Sequence, residues 1–291
     1  MSAIIHYSTL PDPEGGRALL LKHYLPPTPG ASLILFSHGL GGSRESGQDW
    51  IQPWQALGFG VIAIQHPGTD IRELGDNIPY ALLRMVRHAF QRESLLERRS
   101  DVERVIAALD GHPAIPDALQ RPHNIGLCGH SFGAVTMQLV AGEARDSLTP
   151  APPRDARIRA LLTLSPSARE PEQPPGLAAR FAAFDLPVLG ITGTRDQGLG
   201  RSDITPENRL LPHQAMPPGD KYLLVYDGAQ HRELAGEPPD AGRPSPRFRD
   251  SLRAASAAFW QASLHHNPAA RRWLRHGLAT TLHAQDHLEY K

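Results

Sequence analysis

Residues 128–142 read CGHSFGAVTMQLVAG, and within them Ser131 stands between Gly129 and Gly133 in the pattern G-x-S-x-G. A serine hydroxyl is a weak nucleophile until a neighbouring base takes its proton, and the base needs a carboxylate to hold its tautomer. The chemistry such a set performs is acyl transfer. The pattern carries that meaning only between a strand and a helix, and "NIGLC" before it and "AVTMQLVAG" after it supply both. The glycines have a steric reason: a sharp turn strains the serine backbone and crowds the positions two before and two after. The helix that begins here also aims its free N–H groups at the site, which favours a developing oxyanion. The competing reading is an ordinary serine in a strand–turn–helix.

With 15 histidines in the chain, position must choose the base. His231, in "YDGAQHREL", follows the last expected strand and should emerge on the same side as Ser131. Asp196, in "LGITGTRDQ", follows the strand before it, with Gly193 allowing a tight exit. The order Ser131, Asp196, His231 is that of the α/β hydrolases. Asp227 is the rival acid, four residues before His231 and expected to point elsewhere. Asp110 follows a helix and should sit at the wrong edge. The turn His38-Gly39-Leu40-Gly41-Gly42 follows an apolar run and is the candidate oxyanion loop. Its donors would be the backbone N–H of Leu40 and, after the nucleophile, that of Phe132; a glycine turn without a role is the alternative. His38, Gly39, His130 and His66 are candidate pocket residues. For His66 and Asp70, in "QHPGTD", fixing their own loop by hydrogen bonds is the stronger reading.

These residues need a frame. Short apolar runs alternate with helical stretches, which predicts an α/β fold with a mostly parallel sheet. Strands are expected at 18–25, 31–38, 60–65, 124–129, 158–165, 186–192 and 221–227. The later runs are apolar throughout, as in strands covered on both faces. In "SDVERVIAALDG" Val102, Val105, Ile106 and Leu109 form one apolar stripe, Ser100 and Glu103 have capping-box spacing, and Gly111 is a stop. A second helix follows Ser131, and a third is "RDSLRAASAAFWQASL". Trp50 and Trp54 share a helical face as core or rim. Pro-rich segments at 143–157, 166–185, 197–220 and 232–247 read either as pocket rim or lid, or as long surface loops.

Composition excludes other classes. The 291 residues carry Lys plus Arg 30 against Asp plus Glu 30, so no excess positive charge points to nucleic acid or an anionic membrane. A single cysteine, Cys128, rules out a disulfide framework. The N-terminus has no signal-peptide pattern and no run reaches a membrane span, so a cytoplasmic protein of one domain, 1–291, is expected. His283 and His287, with Asp286 between them, have metal-ligand spacing but no HExxH pattern, so a solvated helix is expected and no metal. His265-His266 reads the same way. No phosphate-binding loop or dinucleotide fingerprint appears.

"FSHGLGGSRES", "GHSFGA", "GTRD" and, more weakly, "RRWLRHGLA" resemble the α/β hydrolases. Within them the chain is similar to the group of platelet-activating-factor acetylhydrolases and dienelactone-hydrolase-like esterases, over roughly residues 15 to 280. The resemblance implies the α/β-hydrolase fold, with about eight mostly parallel strands, helices on both faces and Pro-rich loops as rim or small lid. It also implies hydrolysis of a small-molecule carboxylic ester, with small or medium acyl groups, through an acyl-enzyme and no cofactor. The chain departs from the family twice. Dienelactone hydrolases proper use a cysteine nucleophile, whereas Ser131 holds the elbow here. The animal acetylhydrolases place the acid after the strand that follows the elbow strand, where this chain reads "LTLSPS"; the acid shifts to Asp196, as in bacterial lipases and cutinase-like hydrolases. A peptidase, amidase or thioesterase on the same residues is the second expectation, and a binding protein on this scaffold the third.

Overall fold

The computed structural model describes residues 4–13, 15–28, 31–145, 153–169, 176–198, 203–236 and 247–291. The strands are β1 (Ile5–Leu10), β2 (Leu19–Tyr24), β3 (Leu33–Ser37), β4 (Gly60–Gln65), β5 (Ile125–His130), β6 (Ile158–Leu164), β7 (Val188–Arg195), β8 (Lys221–Gln230) and β9 (His287–Tyr290). They form one nine-stranded sheet in the order β1-β2-β4-β3-β5-β6-β7-β8-β9. From β4 to β8 every neighbouring pair is parallel, while β1, β2 and β9 run antiparallel to their neighbours.

The helices are α1 (Gln48–Ala56), α2 (Ile78–Ala89), α3 (Arg92–Ala108), α4 (Phe132–Ala141), α5 (Gly176–Phe181), α6 (Pro206–Ala215), α7 (Arg249–Leu264) and α8 (Pro268–His276). Alternate residues of each central strand enter opposite cores. Ile34 and Phe36 of β3 pack with Trp50, Trp54, Phe259 and Trp260 of α1 and α7. Leu33 and Leu35 pack with Val102, Val105, Met137 and Phe181 of α3, α4 and α5. That double burial is why these strands read as unbroken apolar runs. Trp54 is core, its indole N–H donating to Ser256 Oγ at 2.9 Å.

Several expectations are corrected. β1 and β9 lie at the sheet's edges, mostly exposed, and so lack the apolar run that marks a central strand. His287 is in β9 and not in a helix. Helix α3 begins at Arg92, eight residues before the expected cap at Ser100, because the polar-looking turn between them buries Leu95, Arg98 and Arg99. The Pro-rich segments contain helices: Pro206 opens α6, where its missing N–H and fixed φ cost nothing. Residues 146–152, 170–175, 199–202 and 237–246 of those segments lie outside the described residues, and with them part of the expected rim or lid. Among the described residues no helix is long and apolar enough to cross a membrane.

Candidate active site

The candidate residues arise at the carboxyl ends of four parallel strands, where ligands bind in open α/β sheets. β5 ends at His130, and Ser131 turns the chain into α4 with φ 56° and ψ −119°. A non-glycine residue there is strained by about 1–3 kcal/mol. The turn is possible because its flanks are bare: a Cβ on Gly129 would lie 2.2 Å from the carbonyl oxygen of Gly133, and one on Gly133 would lie 2.0 Å from that of Ser37. The strained serine therefore stands clear of its own backbone.

His231 starts the turn after β8, and Asp196 follows β7. The structure brings them to Ser131 in one line. Ser131 Oγ lies 2.9 Å from His231 Nε2, and His231 Nδ1 lies 2.7 Å from Asp196 Oδ1. His231 Nδ1–H donates to Asp196, which leaves Nε2 free to accept from the serine. Asp196 Oδ2 accepts from Thr192 Oγ1 at 2.7 Å. Burial works against ionisation of Asp196, but the hydrogen bond from His231, the charge of Arg209 and Thr192 outweigh it and hold the carboxyl below its ordinary range. The rival acids go elsewhere: Asp227 of β8 accepts from Thr194 of β7, and Asp110 pairs with Arg157 at the surface.

The loop after β3 closes the other side. A Cβ on Gly39 would lie 3.2 Å from Ser131 Cβ, so the loop passes directly beside the serine. Gly41 N–H and Gly42 N–H are taken by Thr69 and Gly39 carbonyls; among the described residues, those of Leu40 and Phe132 donate to no backbone acceptor. Two hollows flank Ser131. One is mainly apolar, lined by Leu40, Val86, Phe90, Phe132, Val135 and Ile204 with Ser167 and Arg209 also in its wall, and its space of about 30 Å³ admits only a few water-sized groups. The other, about 150 Å³, runs between Gly39–Gly42 and His231–Arg232, with His130 in its wall.

His38 and His66 are corrected as pocket residues: both are fully buried behind the loop. His38 Nδ1 donates to Gly39 O at 2.6 Å, and His38 Nε2 accepts from His66 N–H at 3.0 Å. His66 donates from Nδ1 to Asp101 and accepts from Ser37 Oγ at Nε2. Their loop-fixing role extends the one expected for His66, and Asp70 likewise pairs inward with Arg72 and Gln65.

Sequence reasoning missed the arginines of this site. Arg98, wholly buried, donates to His38 O at 2.5 Å and to Ser37 Oγ, Thr69 Oγ1 and Thr136 Oγ1 at 2.9 Å each, pinning the loop from behind. Burial pushes its pKa down to about 9, so it is still a cation at neutral pH. Arg209 of α6 touches both Asp196 and His231. In an arginine-rich chain no local signal separates these two from the solvated ones.

No protein-family model matches the chain, and no curated protein matches it.

Proposed function

We propose that this protein is a serine carboxylic ester hydrolase with the α/β-hydrolase fold. The observation that carries the reading is the line Ser131–His231–Asp196, with hydrogen-bond distances of 2.9 and 2.7 Å, built on a strained turn at a strand end. The mostly parallel sheet with helices on both faces, and the resemblance in "FSHGLGGSRES", "GHSFGA" and "GTRD", support it.

In this mechanism His231 Nε2 takes the Ser131 proton as Oγ attacks the ester carbonyl. The N–H groups of Leu40 and Phe132 receive the oxyanion, each contributing about 3 kcal/mol of barrier reduction. His231 returns the proton to the departing alcohol, and water then cleaves the acyl-enzyme by the same route. Asp196 holds the imidazole and stabilises its cation throughout. The tight apolar hollow suits a short acyl group, and the wider one the alcohol.

The test is hydrolysis of p-nitrophenyl esters from acetate to octanoate by the wild type and Ser131→Ala, with a fluorophosphonate as label. Turnover of the acetate and propionate esters, lost in the variant together with labelling, supports the reading. Wild-type-like turnover in Ser131→Ala, or a wild type that neither turns over nor labels, overturns it.

A further inference from the structure

Arg209 stands out among the groups around Ser131 because it is a buried cation in contact with both partners of the serine. The residue is 2% exposed. Nη1 donates to the carbonyl of Ser165 at 2.9 Å and, more distantly, to that of Pro166 at 3.4 Å. Nε donates to the main-chain carbonyl of Asp196 at 3.1 Å and lies 3.3 Å from Asp196 Oδ1. Nη2 lies 3.1 Å from His231 Nδ1. That last contact is not an ordinary hydrogen bond. A guanidinium only donates, and the Nδ1 proton is committed to the shorter bond with Asp196. Nη2 therefore confronts the imidazole as a positive charge.

A bracket for three carbonyls does not require a charge, and burying one is costly. Here the cation shares the Asp196 carboxylate with His231, so it offsets part of the attraction that would draw a second proton onto the ring. The other groups facing His231 do not replace it. His130, from β5, lies tilted against it at 4.8 Å between ring centroids and is kept neutral, since burial and then His231 itself push its pKa down to about 3. Arg232 follows in the chain and Arg195 pairs with Gln230 at the rim of the open cleft, both farther toward solvent, where charge is screened.

We propose that Arg209 is a positioning residue for the pair Asp196–His231, holding the loop after β7 in register and, through its charge, keeping the site working at lower pH than an uncharged residue would allow. This rests on reading Ser131, His231 and Asp196 as a catalytic set. A doubly protonated imidazole cannot take the serine proton. Removing the adjacent cation makes that form easier to reach, so the acid limb of the rate profile moves up in pH.

The experiment is the pH dependence of kcat/KM for p-nitrophenyl acetate in the wild type, Arg209→Gln and Arg209→Lys, with Arg209→Met as a second neutral variant should the glutamine protein not fold. The neutral variants should shift the acid limb upward by about one pH unit, while Arg209→Lys keeps it near that of the wild type. A neutral variant that loses rate equally at every pH, with the limb unmoved, overturns the proposal, because Arg209 is then a structural bracket only. The second readout needs no turnover: NMR titration of the His231 ring in Ser131→Ala, with and without Arg209→Gln. An upward move of the midpoint supports the charge effect and an unmoved one overturns it. If the wild type shows neither turnover nor phosphonate labelling, the ester-hydrolase reading fails, and the NMR titration still decides the role of Arg209.

Discussion

The imidazole of His130 donates from Nε2 to the main-chain carbonyl of His231 at 3.1 Å, so the residue just before Ser131 holds the turn that begins at His231. Ser131 and His231 come after strands that are not neighbours in the sheet, and this bond ties their ends together directly. Burial keeps His130 neutral at neutral pH. Replacing it with phenylalanine keeps the ring and removes the bond. Steady-state kinetics of His130→Phe should show kcat lower by about 10- to 100-fold, from misplacement of the base, with little change in KM.

Ser131 holds a backbone conformation that glycine adopts freely. Ser131→Gly should raise the thermal midpoint, reflecting about 1 kcal/mol of relieved strain, while abolishing turnover by at least about 10⁴-fold. Ser131→Ala should lose the same activity without the gain in stability, since its Cβ keeps the strain. Thermal melts and ester assays on the two variants separate the effects.

Two acids stand near the end of the sheet, and only one faces His231. Asp196→Asn should lower kcat about 10⁴-fold by favouring the wrong imidazole tautomer. Asp227→Asn, which changes a bond to Thr194, should stay within twofold of the wild type. Equal losses in both variants would contradict the assignment of Asp196.

Acid should unfold this protein early. Burial, as the largest cause, pushes His23 and His130 down to about 3 and His66 down to about 4, and it holds His38 well below the ordinary value. Below about pH 6.5 the unfolded chain binds protons at these positions that the folded chain refuses. Each then removes about 1.4 kcal/mol per pH unit until its folded value is reached. Asp196 acts in the same direction at lower pH: its contribution is complete above the unfolded value and is lost as pH falls through the depressed folded one. Against a total stability of about 5–15 kcal/mol, four such histidines should bring the unfolding midpoint to about pH 4–5.5. Circular dichroism from pH 7 to 3 measures it, and a fold intact at pH 3.5 would contradict the buried neutral assignments.

Much of the frame and site was legible because it obeys local rules. Apolar runs between turn residues marked the seven strands from β2 to β8, since strands buried on two faces have no polar side to show. Gly129 and Gly133 marked the turn at Ser131, because a Cβ at either position would meet backbone. The positions of Asp196 and His231 after successive strands followed from chain order, since adjacent parallel strands deliver their loops to the same edge. The edge strands β1 and β9 were not legible, since exposure removes the pattern that defines a central strand.

The sequence by itself determined a mostly parallel α/β frame and where along it a serine, an acid and a histidine would emerge. Only the tertiary structure decided which charged residues lie inside. Arg98 and Arg209 look like any other arginine in the chain, and His38 and His66 look like residues of an open loop. All four are buried because partners from β3, α3, α4 and the loops after β3, β4, β6 and β7 converge on them. A buried polar group is tolerable only when its hydrogen bonds are met, and those partners are remote in sequence. Local composition and spacing therefore contain the groups but not their pairing, which the packing of the sheet against its helices supplies.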